Sequence, residues 1–450
     1  MKTVKRVARQ ILKKLPDEGR LVKSTLRSLK LKKDIALGEL VRRVGGATLP
    51  EQYRVFWIDP ARIRSHTNMR NPSADWEDWI FNQKQSLAPV QDGDWDQAAR
   101  SVEEMRVFRA IADRIHGNEP WQSTDYYQYA IAQIAAGRNL WGCSDQASFD
   151  RHCSNVDALI ESISKHGYLP SQDVPPCSST DSGLGGFQEV LINIGRHGDS
   201  LFQDGRHRLA IARALGVSKI PVQVLVRHAK WQSFRELMHR MARGEGGASK
   251  SGVLYQAPIH FDLGDIPYEH ACDDRWLALK ANLVGNHGRA LDIGCNLGFF
   301  CHQLEDEGYS CVGVEYLPDI AHAAQVIARA ENRSTKIVTG DVLAPETLAQ
   351  AGGSEFDLVI ALNIFHHFIK TPDGYEKLRA FLGRLKAKSM FFEPHLPSEP
   401  QMVGVYANPQ PAEFVELVRT WGGFSNAKAI YSADDGRTVY LLAREGESLQ

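Results

Sequence analysis

Two stretches of this 450-residue chain combine residue types and spacings suited to binding and chemistry. The first is Leu291-Asp292-Ile293-Gly294-Cys295-Asn296-Leu297-Gly298. An apolar strand runs into two glycines and the start of a helix, so a ligand can come close to the backbone at the carboxyl edge of a parallel sheet. Glu315 ends the next apolar run, where a carboxylate can take both hydroxyls of a ribose. Asp341 and Val342 follow the third run in Thr339-Gly340-Asp341-Val342. The fourth run ends at Asn363 and leads into Ile364-Phe365-His366-His367-Phe368, and Glu393 and His395 follow the fifth. Asn363, His366, His367, Glu393 and His395 therefore gather at the ends of two strands, above a ligand held by the first loop. A hydroxyl acceptor there needs a general base, whereas an anionic oxygen does not. The two adjacent histidines suit a base, an anion binder or plain packing, and no metal-ligand spacing accompanies them.

The second stretch is Asp204-Gly205-Arg206-His207-Arg208-Leu209-Ala210-Ile211-Ala212. A turn delivers two arginines and a histidine to a helix start, where free backbone N–H groups, the helix dipole and the cations all favour a phosphate. The same arginines could instead pair with carboxylates such as Asp204. Glu189 and Asp199 are acids nearby in sequence, but nothing in the sequence sets them beside a phosphate.

The elements that must position these residues follow from apolar periodicity. Residues 253–450 alternate strands (290–293, 311–314, 336–338, 358–362, 390–392) with helical segments, as doubly wound sheets do. They close with an antiparallel hairpin, 427–431 and 438–443, around Asp434-Asp435-Gly436. Residues 49–242 form an α+β region. A strand at 53–58 precedes helical patterns near 94–116, 124–136 and 148–166. Strands at 188–195, 200–203 and 220–226 then flank a helix over 206–215. The loop Gly167-Tyr168-Leu169-Pro170-Ser171-Gln172 is a further contributor to the phosphate turn. The Gly/Ser-rich stretch 243–252 reads as a linker.

Residues 1–48 read as a basic amphipathic helical arm. Its first 46 residues carry fourteen Lys and Arg against four Asp and Glu, while the whole chain nets −1, so the body is acidic. Such an arm suits an anionic membrane surface, docking on protein, or nucleic-acid phosphates. The acidic body and the lack of aromatic–basic interleaving make nucleic acid the poorer partner. Seven cysteines, an odd number without a C-x-x-C pair, argue against a disulfide framework and a zinc ribbon, and fit reduced thiols in the cytoplasm. No run is long and apolar enough to span a bilayer, so the expected location is cytoplasmic, with peripheral contact at the inner membrane face.

The carboxy-terminal set resembles the class I S-adenosylmethionine-dependent methyltransferases over 253–450, terminal hairpin included. The resemblance implies a seven-stranded Rossmann-like domain. It implies that Asp292, Gly294, Cys295, Asn296 and Gly298 line the methionine end, that Glu315 binds the ribose, and that Asp341 and Val342 frame the adenine. Asn296 departs from a position that is often glycine. Two subgroups are similar over short stretches. The run 292–296 is similar to the bicoid-interacting RNA phosphate methyltransferases. The run 362–368 resembles the bifunctional kinase–methyltransferases that cap bacterial O-antigen chains. Both methylate phosphates. The stretch 188–227 resembles the ParB/sulfiredoxin-like fold, which implies a nucleotide, ATP among them, or another phosphate at Asp204, Gly205, Arg206, His207 and Arg208. Together these imply a methyltransferase with a second phosphate- or nucleotide-binding domain, acting on an envelope glycan or another phosphorylated acceptor. In the bifunctional form the middle domain is a kinase. A nucleic-acid-modifying methyltransferase and a nucleotide-sensing module are the alternatives.

Overall fold

The computed structural model describes residues 54–66, 89–97, 99–170, 189–245, 252–283, 285 and 287–444. The basic arm and most of the Gly/Ser-rich stretch lie outside the described residues, as do Ser171 and Gln172 of the loop expected beside the phosphate turn. Two compact units divide between Phe234 and Arg235.

The amino-terminal unit is built on a mixed sheet. Its strands are β1 (Val55–Ile58), β2 (Val190–Ile194), β3 (Ser200–Asp204) and β4 (Ile220–His228). Their order is β1-β4-β2-β3, extended past β3 by the short pairs Ser65–His66 and Arg100–Ser101, with Val90–Gln91 on β4. β4 pairs antiparallel with β1 and parallel with β2, and β2 with β3 is an antiparallel hairpin. Helices α1 (Arg106–Ala112), α2 (Asp125–Ala135), α3 (Gln146–His166) and α4 (Arg206–Ala214) also belong to this unit. α5 (Ala229–Ala242) runs across the division between the units.

One helix is shorter than its sequence pattern. Instead of starting near residue 94, α1 starts at Arg106, because Arg100–Ser101 pairs with Ser65–His66 and Ser101 caps a separate 3₁₀ turn. Asp94 and Asp96 serve a turn that holds Arg196. The Arg196 Nε donates to Asp96 Oδ1 at 2.9 Å and its Nη2 to Asp94 Oδ1 at 2.9 Å. α3 is started by a capping box, in which Ser148 N donates to Asp145 Oδ1 at 2.7 Å and Asp145 N to Ser148 Oγ at 3.2 Å.

The carboxy-terminal unit is a doubly wound sheet. After α6 (Asp273–Ala281) its elements run β5 (Gly288–Ile293), α7 (Phe299–Asp306), β6 (Tyr309–Glu315), α8 (Pro318–Ala330) and β7 (Lys336–Thr339). Next come α9 (Pro345–Gln350), β8 (Glu355–Leu362), α10 (Pro372–Arg384) and β9 (Lys386–Glu393). α11 (Pro411–Gly422), β10 (Asn426–Ser432) and β11 (Thr438–Ala443) complete it. Strand order is β7-β6-β5-β8-β9-β11-β10. The first five strands are parallel, and β11 pairs antiparallel with both β9 and β10. The order reverses between β6 and β8 about β5, so ligands are expected at the carboxyl ends of these strands.

Two apolar layers bury this sheet. Val359, Phe381, Met390 and Phe414 lie in one cluster, and Phe300, Leu304, Ile360 and Phe391 in the other. A parallel sheet covered on both faces has continuously apolar strands, as the 358–362 run displays. Among the described residues no helix is long and apolar enough to cross a membrane.

Candidate functional site

In the carboxy-terminal unit the loop after β5 is fixed by backbone conformation. Gly294, Asn296 and Gly298 have φ of 72°, 50° and 83°. Asparagine tolerates the left-handed region better than most side chains, which accounts for Asn296 where glycine is common. A Cβ on Gly294 would stand 2.8 Å from Ile364 Cδ1, so this glycine lets the loop after β8 pack over the loop after β5. The Cys295 thiol is fully buried against Gly313, and its amide donates to Val314 O at 3.1 Å. The structure therefore does not bring the Cys295 thiol to the sheet edge.

Glu315 closes the switch point. Its Oε2 accepts from Asn296 N at 3.0 Å and its Oε1 from Leu317 N at 2.9 Å. Burial raises its carboxyl above the usual range, and these amides oppose the rise. Each oxygen retains a lone pair for a hydroxyl donor. Exposed Tyr316 and Leu317 follow it directly. Asp341 lies after β7, and its Oδ1 accepts from Leu343 N at 2.9 Å, while Val342 is buried beside it. Asp292 is almost fully buried within β5, and its carboxyl is pushed up to about 7 by burial. Cys301 donates to it at 3.6 Å.

Loops in left-handed conformations, a fixed carboxylate at the switch point and a buried aspartate fit S-adenosylmethionine. Glu315 would hold its ribose, Asp292 would face its methionine end, and Asp341 with Val342 would border its adenine. That group supplies an electrophilic methyl.

The structure brings Asn363, His366, Glu393 and His395 to the ends of β8 and β9. Asn363 has φ 49°, and its amide donates to Glu393 O at 2.9 Å. Its Nδ2 donates to Tyr255 Oη at 3.3 Å, and its Oδ1 is buried without a partner among the described residues. Glu393 is tied to Arg275, whose Nε donates to its Oε1 at 3.0 Å. Arg275 also reaches Asp435. His366 is 1% exposed, and neither of its nitrogens has a hydrogen-bond partner among the described residues. Burial, then the neighbouring His367, push it down to about 3. His395, 5.7 Å away between ring centroids, engages Asn408 Oδ1 through Nε2 at 3.0 Å, with its Nδ1 unpartnered. Burial also lowers its titration, against the Asn408 bond. His367 lies exposed beside His366. Among the described residues, no group of His, Cys, Asp and Glu is arranged to hold a metal ion.

Residues 291–388 match the profile described as a methyltransferase domain. The carboxy-terminal unit carries a methyltransferase domain of class I. The chain is 28% identical over 135 residues to the O-antigen chain terminator bifunctional methyltransferase/kinase WbdD of Escherichia coli. That alignment covers 30% of this chain and 19% of WbdD, so the chain spans about a fifth of the length of the curated relatives it matches. Among solved structures, WbdD with the kinase inhibitor LY294002 is 23% identical, with 43% of this chain and 46% of that one covered at a TM-score of 0.37. The PH0226 protein of Pyrococcus horikoshii OT3 is 16% identical, with 38% and 86% covered and a TM-score of 0.29. The fold assignment itself rests on strand order and hairpin, which place this domain with the Rossmann-like methyltransferases.

In the amino-terminal unit the turn expected to hold a phosphate forms as a left-handed Gly205, φ 89°, between β3 and α4. A Cβ there would press to 3.2 Å on Val190 Cα. Asp204 Oδ1 accepts from Gly205 N at 2.7 Å, and burial raises its carboxyl. Arg208 pairs with Glu189 at 3.5 Å, so Glu189 joins the site, while Asp199 lies in the separate 195–199 turn. Among the described residues Arg206 takes no carboxylate, and it lies over the Trp141 ring, 4.2 Å from its centroid. Sequence reasoning missed Trp141, Tyr126 and His152 here, and Tyr255 and Arg275 in the other unit. None has a local motif; each arrives through tertiary packing.

Proposed function

We propose that the protein is an S-adenosylmethionine-dependent methyltransferase of glycan biosynthesis whose acceptor oxygen is already anionic, as in a phosphate. The observation that carries this reading is the neutral His366–His395 pair at the ends of β8 and β9. An imidazole held down to about 3 is a poor base near neutrality but remains a hydrogen-bond donor. Glu393 is engaged by Arg275, so the cluster offers donors and alignment more readily than proton abstraction. Transfer to an anionic oxygen needs alignment above all. Similarity to a protein named as a methyltransferase/kinase that terminates O-antigen chains supports a glycan phosphate as acceptor class.

The amino-terminal unit supplies the second half of the reading, a ParB/sulfiredoxin-like module that binds a phosphate or nucleotide at Asp204, Gly205, Arg206, His207 and Arg208. In the bifunctional form it uses ATP to phosphorylate the acceptor that the other unit methylates. The test uses labelled S-adenosylmethionine with a glycan acceptor in two forms, one ending in a phosphate monoester and one in a free hydroxyl. Methylation of the phosphorylated form alone is expected without ATP, and of both forms with ATP. Methylation of the free hydroxyl without ATP overturns the assignment.

A further inference from the structure

The first turn of α4 is served by residues from three other segments. Trp141 stacks on Tyr126 with ring centroids 5.0 Å apart and planes 13° from parallel, and the Arg206 guanidinium lies over the Trp141 ring. Trp141 has φ 53°, a left-handed conformation rare for so bulky a residue. Strain of this kind persists where the surroundings enforce it, and it concentrates at ligand clamps. The stack fixes Arg206 with no carboxylate in ion-pair distance among the described residues.

Beneath the arginine, Tyr126 Oη lies 3.3 Å from His152 Nε2 and 3.3 Å from His207 Nε2. A hydroxyl carries one proton, so it donates to one imidazole and accepts from the other, and the three groups form an ordered chain. Both imidazoles are held neutral. Burial is the main cause, and Arg206 adds repulsion; His152 falls to about 4 and His207 well below its ordinary value. Arg206 and Arg208 face this chain from α4, Asp204 interacts with both arginines from the turn, and Glu189 pairs with Arg208. Tyr168 adds a buried hydroxyl beside Arg208 and Glu189 that has no partner at hydrogen-bond distance among the described residues. An unpartnered buried hydroxyl costs stability unless a ligand meets it.

We propose that this is a site for a phosphate monoester, and that its capture at Arg206 draws a proton into the His152–Tyr126–His207 chain. The inference rests on the phosphate-binding reading above and adds the ligand's charge class. The field of Arg206 opposes charge on the imidazoles, and a doubly charged tetrahedral anion against the guanidinium reverses that field. Burial keeps the reversal strong. A phosphodiester brings one negative charge fewer and reverses it less. Tyr126 positions the proton, because its hydroxyl can accept from the imidazolium that forms.

Calorimetry on the full chain tests this with sulfate and methyl sulfate. They copy the shape and charge of a phosphate monoester dianion and a diester, and neither titrates near neutrality. Heats measured at about pH 6.5 in two buffers of different ionisation enthalpy give the proton uptake. Sulfate is expected to bind with uptake, and its affinity to rise as pH falls, by at most about tenfold per pH unit for each proton taken. Methyl sulfate is expected to bind about tenfold more weakly with less uptake. Tyr126→Phe keeps the ring packing, so it should keep sulfate affinity at about pH 8 and lose most of the uptake. Uptake absent from wild type, or equal in Tyr126→Phe, overturns the proton chain and leaves phosphate binding standing. Equal affinity for both probes overturns the monoester assignment. No binding of sulfate or of methyl phosphate overturns the phosphate-binding reading itself.

Discussion

Replacing Asp292 by asparagine should make the protein more stable and a worse binder of S-adenosylmethionine. Asp292 is 3% exposed, has Cys301 Sγ at 3.6 Å, and feels like-charge repulsion from Glu315. Burial pushes its carboxyl up to about 7, against an ordinary value near 4. At about 1.4 kcal/mol for each tenfold change in the ionisation constant, that rise is worth about 4 kcal/mol as an upper bound. The folded state holds the proton more tightly than the unfolded state. Its contribution is therefore complete below about pH 4 and is lost as pH rises through about 7. At pH 8 the unliganded protein carries a buried, poorly compensated charge, which Asp292→Asn removes. The expected gain is about 1–3 kcal/mol at pH 8 and falls to about a third of that near pH 5, where the folded group is neutral but the unfolded one is already ionised. The neutral amide cannot answer the ammonium of a bound methionine group, so cofactor affinity should fall at least about tenfold. Denaturation of the full chain at both pH values, with calorimetry of cofactor binding, measures both effects. No stabilisation at pH 8 refutes the burial argument, and stabilisation with unchanged affinity refutes the cofactor role.

Glu315→Ala should weaken S-adenosylmethionine binding by about 1.5–3 kcal/mol, measured by calorimetry, since it removes charge-assisted bonds to the ribose. Arg206→Ala with Arg208→Ala should abolish phosphate and nucleotide binding and leave cofactor affinity unchanged; a screen of ATP, ADP, CTP and GTP by thermal shift measures it. With a phosphate-ended acceptor, the methylation rate should be flat above about pH 7 and fall below about pH 6, following the acceptor's own ionisation. An inflection that disappears in His366→Asn would instead make His366 a base. Gly374→Ala should cost more than about 2 kcal/mol in thermal denaturation, because its Cβ would clash with the Phe368 carbonyl oxygen. In the same helix Gly383→Ala meets nothing closer than 3.9 Å and should stabilise by about 0.5–1 kcal/mol.

The doubly wound sheet was readable because its strands are buried on both faces. An apolar run such as 358–362 needs no knowledge of its neighbours, and each parallel strand ends where a helix must carry the chain back. The observed β8 extends that run to Glu355 and leaves its end at Leu362. Asn296 looked like a loss of glycine signal, and its φ of 50° explains why the loop tolerates it. The role of Gly294 was less readable. Its contact with Ile364 joins two loops 70 residues apart, and no periodicity records such a contact. The expected helix near 94–116 failed for a related reason. Asp94 and Asp96 answer Arg196, a hundred residues away, and that partner overrides local helical preference.

The amino-terminal site shows the same limit at the level of chemistry. The turn Asp204-Gly205-Arg206-His207-Arg208 announces a cationic helix start, but not what each cation does. Arg208 is answered by Glu189 at the start of the adjacent strand, while Arg206 is held against an aromatic face by Trp141. His207 reads as a third cation in sequence and is a half-buried neutral imidazole in the fold, because α2 and α3 deliver Tyr126 and His152 against it. A phosphate would thus meet one clamped guanidinium and neutral donors rather than three mobile charges. An arrangement of that kind gives up some long-range attraction and gains selectivity for a ligand whose charge and shape match the fixed donors.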